Sequence, residues 1–138
     1  MTAVTTEHHH HAVVGDLMSK PVLTVEVTET LWDAWQLLFV SGLRHLVVID
    51  DAGGVLGVLA DRNILSDVPI SADHLQHRKV SDVLARVPML AISPNDTPRG
   101  AAELMTAHAV EALPVLDATS RLVGIVTEAD LVHWMSRN

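Results

Sequence analysis

The sequence contains no cysteine and no tyrosine, and its remaining aromatic residues are one phenylalanine and three tryptophans. Without cysteine the chain can form no disulfide, no thiolate metal site and no cysteine nucleophile. So few aromatic side chains also argue against a platform on which the bases of RNA or single-stranded DNA would stack. Aliphatic side chains must therefore form the core, and thiol chemistry is excluded.

Positive charge and long apolar runs are scarce as well. The 138 residues carry 9 Lys and Arg against 17 Asp and Glu, and the formal charge of −8 opposes nonspecific binding to nucleic acid or to an anionic membrane. No apolar run approaches the roughly 18 residues that cross a bilayer, and residues 1–11 include no apolar signal segment. We expect a cytoplasmic protein of about one compact domain, with neither a nucleic-acid nor a membrane partner.

The second half of the chain repeats the first. Val-Gly-Asp-Leu-Met at residues 14–18 corresponds to Val-Ser-Asp-Val-Leu at residues 80–84, an offset of 66. After a one-residue slip, identical residues recur at an offset of 67, as in the pairs Thr30 and Thr97, Ala34 and Ala101, Leu37 and Leu104, Leu46 and Leu113, Val48 and Val115, Asp50 and Asp117, and Gly57 and Gly124. A register kept over so many positions indicates an internal duplication.

Each copy has the pattern of a β-α-β-β-α unit. Residues 21–25 and 89–92 predict a first strand, and N-cap signals at Thr28 or Thr30, and at Thr97 before Pro98, begin a long helix. Gly42 ends the first long helix. The apolar runs 46–49 and 55–60, separated by a turn cluster, predict a buried hairpin that recurs at residues 113–117 and 121–127. Each copy ends with a short helix, predicted at residues 61–67 and 128–137. The predicted fold class is therefore α/β in the broad sense, and α+β in the narrower one.

At this point the chain resembles the CBS-domain family. Repeats of that family carry an aliphatic-Pro-Val-aliphatic-Asp strand and then Gly-aliphatic-aliphatic-Thr-x-x-Asp-aliphatic, which Leu-Pro-Val-Leu-Asp at residues 113–117 and Gly-Ile-Val-Thr-Glu-Ala-Asp-Leu at residues 124–131 match. The resemblance covers about residues 13–135 and implies a Bateman module, two repeats packed about a pseudo-twofold axis with two clefts. We expect a flexible tail at residues 1–12, repeats at 13–68 and 79–137, and a linker at 69–78.

The resemblance also implies a preferred ligand cleft around Thr127 and Asp130. In many CBS pairs the matching hydroxyl and carboxylate hold the ribose of an adenosine-containing ligand, and a carboxylate can accept both hydrogen bonds of a vicinal diol. Arg44 and His45 stand where relatives often place a basic pair against phosphate. The other members of this cleft, carried over residue by residue, are Ile125, Asp16, Pro21 and Leu43.

The first repeat departs from the family pattern at the corresponding positions. Ala60 lacks the hydroxyl and Asn63 lacks the charge, which implies a weaker cleft that is empty or suits another ligand. Glu111 stands in the second repeat where the first has Arg44, and its carboxylate disfavours a triphosphate. The remaining members implied for the weaker cleft are Val58 and Asp82.

Several of these residues also have a purely structural interpretation. Thr127 and Asp130 can form a capping box that stabilises the last helix by roughly 1 kcal/mol without any ligand. Arg44 can be a solvated charge at a helix end, and His45 a residue at a strand edge. The histidines at residues 8–11 invite a metal hypothesis, but four in a row within a polar terminus favour a flexible tail or a cloning remnant, so no metal site is predicted.

The long helix of the first copy is apolar on nearly all sides, which favours a homodimer in which a twin helix covers it. Trp134 and Met135 of the final helix support this interface. Coverage by the second repeat of the same chain is the alternative. The residues that fall outside the stripe facing its own core are Trp32, Leu37, Phe39 and Val40.

The leading functional hypothesis is a regulatory module that senses an adenosyl ligand (AMP, ADP, ATP, NAD or S-adenosylmethionine) between its repeats and shifts the geometry of a dimer or of a protein partner. The alternative is a structural dimerisation module with no bound nucleotide, which Ala60, Asn63 and Glu111 favour. An enzyme is not expected, because no nucleophile elbow, phosphate-binding glycine loop or spaced metal motif gathers reactive side chains. No cofactor is obligatory in either hypothesis.

Overall fold

The computed structural model describes residues 11–67, 71–84 and 89–138. The chain divides into two compact units. We call Val22–Leu90 the central unit, and the described part of Met1–Pro21 together with Ala91–Asn138 the terminal unit. In chain order the described elements are α1 (Val14–Leu17), β1 (Thr24–Glu26), α2 (Leu31–Ser41), β2 (His45–Ile49), β3 (Val55–Ala60), α3 (Asp61–Asp67), α4 (Ala72–Gln76), α5 (Val80–Leu84), α6 (Pro98–His108), β4 (Ala112–Leu116), β5 (Leu122–Thr127) and α7 (Glu128–Arg137).

A three-stranded sheet in the order β1-β2-β3 forms the centre of the central unit. Strand β1 runs parallel to β2, and β2 is antiparallel to β3, with His45 opposite Ala60. Helix α2 begins at the N-cap Thr30 and ends at Gly42, whose φ of 73° is a left-handed conformation that glycine adopts without steric cost. The aliphatic cluster that these elements bury includes Val25, Leu31, Leu38, Leu46, Leu59, Ile64, Leu75 and Val80.

The terminal unit is built on the antiparallel hairpin of β4 and β5, in which Ala112 lies opposite Thr127. Two single bridges extend this hairpin, one between Ser19 and Ile125 and one between Ile92 and Val115. Helix α6 begins as predicted, with Thr97 as N-cap and proline in its first turn. The buried aliphatic residues of this unit include Val14, Ala101, Met105, Leu113, Val115, Val126 and Leu131.

The compact units do not coincide with the sequence repeats, because the first short helix of each copy packs in the other unit. Val14 at the start of α1 donates its backbone N–H to the carbonyl oxygen of Asp96 at 2.7 Å. Val80 at the start of α5 donates in the same way to Glu29 at 2.9 Å. Repeat boundaries at residues 13–68 and 79–137 therefore describe the duplication in the sequence, and the compact units cut across it.

Local features of the sequence predicted most of these elements. Both hairpins and both long helices are confirmed, and the closing helices Asp61–Asp67 and Glu128–Arg137 have the predicted bounds. The linker prediction missed α4, which occupies five of its residues. The strand predicted at residues 21–25 forms later, as Thr24–Glu26. Residues 89–92 form only the bridge at Ile92, and the N–H of the next residue, Ser93, donates to the side chain of Asp96.

The outward-facing residues predicted on α2 separate into two groups. Phe39 and Val40 are 80% and 84% exposed. The prediction was wrong for Trp32 and Leu37, which are partly buried and pack against the aliphatic cluster of the central unit. Helix α4 contacts α2 and contributes Leu75 to that cluster, so the cluster reaches further around α2 than a single apolar stripe predicts.

Candidate ligand-binding site

The junction of β5 and α7 holds Thr127 and Asp130 in a capping box, as the sequence predicted. The hydroxyl oxygen of Thr127 accepts the backbone N–H of Asp130 at 3.2 Å. Oδ2 of Asp130 accepts the backbone N–H of Thr127 at 2.9 Å. Two N–H groups that the helix cannot satisfy internally are thus paired, and the Asp130 carboxylate has a fixed orientation at the start of α7.

Ser19 belongs to this site, although sequence reasoning did not single it out. Its hydroxyl donates a hydrogen bond to Oδ1 of Asp130 at 2.9 Å. Its main chain pairs with Ile125 of β5, since the N–H of Ser19 donates to the Ile125 carbonyl at 2.8 Å and the reverse bond measures 3.1 Å. The segment after α1 therefore lies along β5 and adds a hydroxyl beside the carboxylate. Its one advance signal was a polar residue two positions before Pro21.

Gly124 allows this segment to approach β5 closely. A Cβ on Gly124 would lie 2.5 Å from Sδ of Met18 and 3.2 Å from the carbonyl oxygen of Ser19. The first distance is far below van der Waals contact, so a larger residue would displace Met18. The glycine of the family motif therefore has a structural role here, which is to keep Ser19 next to Asp130.

Asp16, Pro21 and Ile125 of the predicted cleft also lie in the terminal unit. Oδ2 of Asp16 accepts the backbone N–H of Val13 at 3.1 Å, so Asp16 caps its own short helix. Pro21 is exposed, whereas Ile125 is buried in β5 with 8% of its surface accessible. The carboxylate of Asp16 is exposed despite its capping bond, so it can still accept further hydrogen bonds.

Arg44, Leu43 and His45 lie in the central unit, where Arg44 makes an ion pair that the sequence did not predict. Its Nε donates to Oδ2 of Asp61 at 3.3 Å, and its side chain is 72% exposed. The backbone N–H of Asp61 also donates to the Arg44 carbonyl at 3.0 Å. Leu43 is exposed and His45 is half-buried as the first residue of β2. The grouping of these three residues with Thr127 and Asp130 in one cleft stays a prediction.

In the central unit, the corresponding junction is that of β3 and α3, and different atoms cap the start of α3. Oδ1 of Asn63 accepts the backbone N–H of Ala60 at 2.8 Å, as Asp130 does for Thr127. Asn63 therefore reproduces the acceptor half of the capping box, while Ala60 provides no hydroxyl for the other half. Val58 is half-buried in β3, opposite Val47. The departure from the family pattern at Ala60 and Asn63 thus removes a hydroxyl and a charge but keeps the helix capped.

Asp82, the remaining carboxylate of the weaker cleft in the central unit, is held by the start of α5. Its Oδ2 accepts the backbone N–H of Lys79 at 2.9 Å and Nε of Arg78 at 3.4 Å. The Lys79 N–H, with a smaller contribution from Arg78, lowers the pKa of Asp82 below its ordinary value. Glu111, also assigned to this cleft, lies in the terminal unit, where its carbonyl oxygen accepts the N–H of Glu128 at 2.9 Å.

In the part of the chain that the structure describes, no three His, Asp or Glu side chains are grouped so that they could hold a metal ion. The histidines at residues 8–10 lie outside the described residues, and His11 is exposed. Among the described helices, none combines the length and the apolar character needed to span a bilayer.

The duplicated unit of long helix, hairpin and capped closing helix defines an internally repeated α+β protein. The chain belongs to the CBS domain family, whose model matches it twice, at residues 14–69 and 80–137. A CBS domain-containing protein from Dictyostelium discoideum is 33% identical over 132 residues, which cover 89% of this chain and 90% of that protein. A homoserine O-acetyltransferase from Methanococcoides burtonii is 30% identical over 121 residues, and the chain spans only 24% of that enzyme's length.

Solved structures of CBS pairs share the fold. CBSX2 in complex with AMP is 28% identical and has a TM-score of 0.74, with 91% of this chain and 96% of that chain covered. The CBS domain pair of protein MJ0100, in complex with 5-methylthioadenosine and S-adenosyl-L-methionine, has a TM-score of 0.79 at 21% identity, with 91% and 97% covered. The chain is thus a CBS pair, a module of which related examples bind adenosyl compounds.

Proposed function

We propose that this chain is a regulatory module, and not an enzyme, that binds an adenosyl ligand at Thr127, Asp130 and Ser19. The observation that carries the proposal is the fixed Asp130 carboxylate at the first turn of α7, flanked by two hydroxyl groups. An ionised carboxylate has about four acceptor positions, of which the hydrogen bonds from Thr127 and Ser19 use two. The remaining positions suit the two hydroxyl groups of a ribose.

The neighbouring backbone suits the other end of such a ligand. The N-terminus of α7 carries the positive end of the helix dipole, which attracts phosphate. The exposed guanidinium of Arg44 and the ring of His45, with Leu43, are proposed as the opposite wall of the same cleft, together with Asp16, Pro21 and Ile125. A complex of a related CBS pair with AMP supports this class of ligand. AMP, ADP, ATP, NAD and S-adenosylmethionine are the compounds to test.

The proposed site is unequal to its counterpart in the central unit. Ala60 and Asn63 offer one amide group where Thr127 and Asp130 offer a hydroxyl and a charge. Charge-assisted hydrogen bonds are roughly twice as strong as neutral ones, so the Asp130 site is the stronger candidate. The weaker cleft, with Val58, Asp82 and Glu111, is proposed to bind the same ligands less tightly or not at all.

Thermal unfolding with each compound tests the proposal. A ligand at about 100 times its Kd adds roughly 2.7 kcal/mol to the free energy of unfolding, which raises the Tm of a domain of this size by several degrees. Absence of a shift with every compound at millimolar concentration would contradict ligand sensing by adenosyl compounds.

A pair of substitutions at one position separates binding from folding. Asp130→Asn keeps an oxygen for the Thr127 N–H, as Asn63 does for Ala60, and should preserve most of the stability while it weakens ligand binding at least tenfold. Asp130→Ala removes the cap as well and should cost about 1 kcal/mol of unfolding free energy. Asn63→Ala is the matched control, which should leave the binding measured at Asp130 nearly unchanged. Equal losses of binding from Asp130→Asn and Asn63→Ala would contradict the ranking of the two sites.

A structural dimerisation module without a nucleotide is the second candidate. It is favoured by the hydrogen bonds that already engage both oxygens of Asp130, because a ligand must share this carboxylate with Ser19 and Thr127. A homodimer is part of both proposals, with Phe39 and Val40 of α2 and Met135 of α7 as its exposed apolar contacts. The proposed regulatory role includes a cytoplasmic location. It also includes a separate protein partner that recognises the ligand-bound state.

A further inference from the structure

The same backbone hydrogen bond ties the hairpin to the closing helix in both units, but the side chains at its two ends differ in charge. In the central unit, the N–H of Asp61 donates to the Arg44 carbonyl at 3.0 Å. In the terminal unit, the N–H of Glu128 donates to the Glu111 carbonyl at 2.9 Å. The two pairs are equivalent at the offset of 67. An arginine and an aspartate therefore stand where the terminal unit has two glutamates.

Asp61 holds its carboxylate in a fixed place at the start of α3. Its Oδ2 accepts Nε of Arg44 at 3.3 Å, and its Oδ1 accepts the backbone N–H of Arg62 at 2.7 Å. The side chain of Asp61 is only 26% exposed, whereas that of Arg44 is 72% exposed. The carboxylate is therefore the anchored member of this ion pair, and the long arginine side chain is the member that can turn away.

The ion pair offsets the positive charge that Arg44 would otherwise offer to a phosphate group. A guanidinium attracts phosphate through its charge and its fork of N–H donors. With the Asp61 carboxylate 3.3 Å away, a phosphate that reaches Arg44 must either displace Asp61 or lie close to its negative charge. Each further phosphate group of a ligand increases this repulsion, so a triphosphate is opposed more strongly than a monophosphate.

The part of the proposed site that lies in the terminal unit is acidic as well. Its two segments, residues 16–21 and 124–131, contain one basic side chain, that of Lys20. The dipole of α7 and this ammonium group favour a single phosphate, whereas the carboxylates of the same segments oppose a chain of phosphates. These carboxylates belong to Asp16, Glu128 and Asp130.

We propose that Asp61 is a specificity-determining residue, which makes the site select adenosyl ligands with one phosphate or none over ATP. The inference rests on the proposed function, in which Arg44 belongs to the wall of the cleft that faces phosphate. Asp61 acts by holding the Arg44 guanidinium in an ion pair, so that the cleft offers little net positive charge. The parent chain should therefore bind S-adenosylmethionine and AMP more tightly than ADP, and ADP more tightly than ATP.

Calorimetric titration of the full chain with S-adenosylmethionine, AMP and ATP, at low salt and without divalent cations, tests the inference. Asp61→Asn keeps an oxygen for the Arg62 N–H but removes the charge. It should tighten the binding of ATP about tenfold and of AMP about threefold, and should not tighten that of S-adenosylmethionine, which carries no phosphate. High salt should reduce both gains. Asp51→Asn, which makes the same change of net charge at an exposed turn, is the control and should alter none of the three affinities.

A second variant tests the other member of the ion pair and decides the question if Asp61→Asn does not fold. Arg44→Gln leaves the Asp61 charge without its partner, so it should weaken ATP binding more than AMP binding and should not weaken that of S-adenosylmethionine. If the compounds bind but the variants change all affinities by one common factor, or not at all, the inference is wrong and the proposed function stands. If no compound binds to the parent chain or to either variant, the proposed function is wrong, and the inference falls with it.

Discussion

The hydroxyl of Ser19 and the carboxylate of Asp130 are joined by a hydrogen bond of 2.9 Å across 111 positions of sequence. Ser19 follows α1 of the first repeat, whereas Asp130 lies in the first turn of the last helix of the second. The bond links the two repeats of the sequence within one compact unit. The Asp130 carboxylate, the central group of the proposed ligand site, is therefore contacted by residues of both repeats.

Ser19→Ala should lower the free energy of unfolding by about 1 kcal/mol, because the Asp130 carboxylate loses the hydrogen bond that the Ser19 hydroxyl donates to it. Urea unfolding followed by circular dichroism measures this difference. Ser136→Ala is the control, since the Ser136 hydroxyl donates to the His133 carbonyl within the same helix. A loss at Ser19 no larger than that at Ser136 would show that the long-range bond does not contribute.

Gly124→Ala should destabilise the chain by about 1–3 kcal/mol, because the added Cβ overlaps Met18 and forces the Ser19 segment away from β5. Gly100→Ala is the control and should destabilise the chain less, because the nearest atom to its added Cβ, the Thr97 hydroxyl oxygen, lies 3.2 Å away instead of 2.5 Å. Met18→Ala in the Gly124→Ala background should recover part of the loss. If the double variant is no more stable than Gly124→Ala alone, the clash with Met18 is not the cause.

Acid should destabilise the fold through Asp82 and Asp117. The N–H of Arg121 is the largest cause that lowers the pKa of Asp117, with the Thr119 hydroxyl next, and the N–H of Lys79 lowers that of Asp82. Because both pKa values are lower in the folded than in the unfolded chain, the folded state favours the ionised carboxylates. Their stabilisation is complete above the unfolded pKa, near pH 4, and is lost as the pH falls through the folded values below it.

Urea unfolding between pH 6 and pH 3 measures this loss. Asp82→Asn and Asp117→Asn should each be less stable than the parent chain at pH 6 and should lose less on acidification. Asp51→Asn, at an exposed turn position, is the control. The same acid-induced loss in the parent and in both variants would contradict the assignment.

Phe39→Thr with Val40→Ala should shift the proposed dimer towards monomer. At the offset of 67 the second repeat has Thr106 and Ala107 at these positions, so the substitutions copy a surface that the chain itself tolerates. Both side chains are mostly exposed, and the stability of the monomer should change by less than about 0.5 kcal/mol. Sedimentation over a range of concentrations gives the mass, with Met89→Thr as an exposed apolar control. An unchanged dimer would place the interface elsewhere.

The candidate site was predictable from the sequence only where its contacts are local. Thr127 and Asp130 are three residues apart, and a Thr and an acid at that spacing before an apolar run form a capping box by helix geometry alone. Asn63 as the substitute acceptor for Ala60 follows the same rule. The ion pair of Arg44 with Asp61 lies between these cases, because the two residues meet only when the hairpin between them has formed.

Sequence by itself determined the duplication, the N-caps at Thr30 and Thr97, both hairpins and both closing helices, because periodicity and capping act within a few residues. Tertiary structure alone decided that α1 and α5 pack in the unit of the opposite repeat, that Ser19 meets Asp130, and that Trp32 lies against the core. Each of these contacts depends on which backbone groups and apolar surfaces from distant parts of the sequence pack together. The sequence pattern of these short segments does not indicate which distant residues they contact.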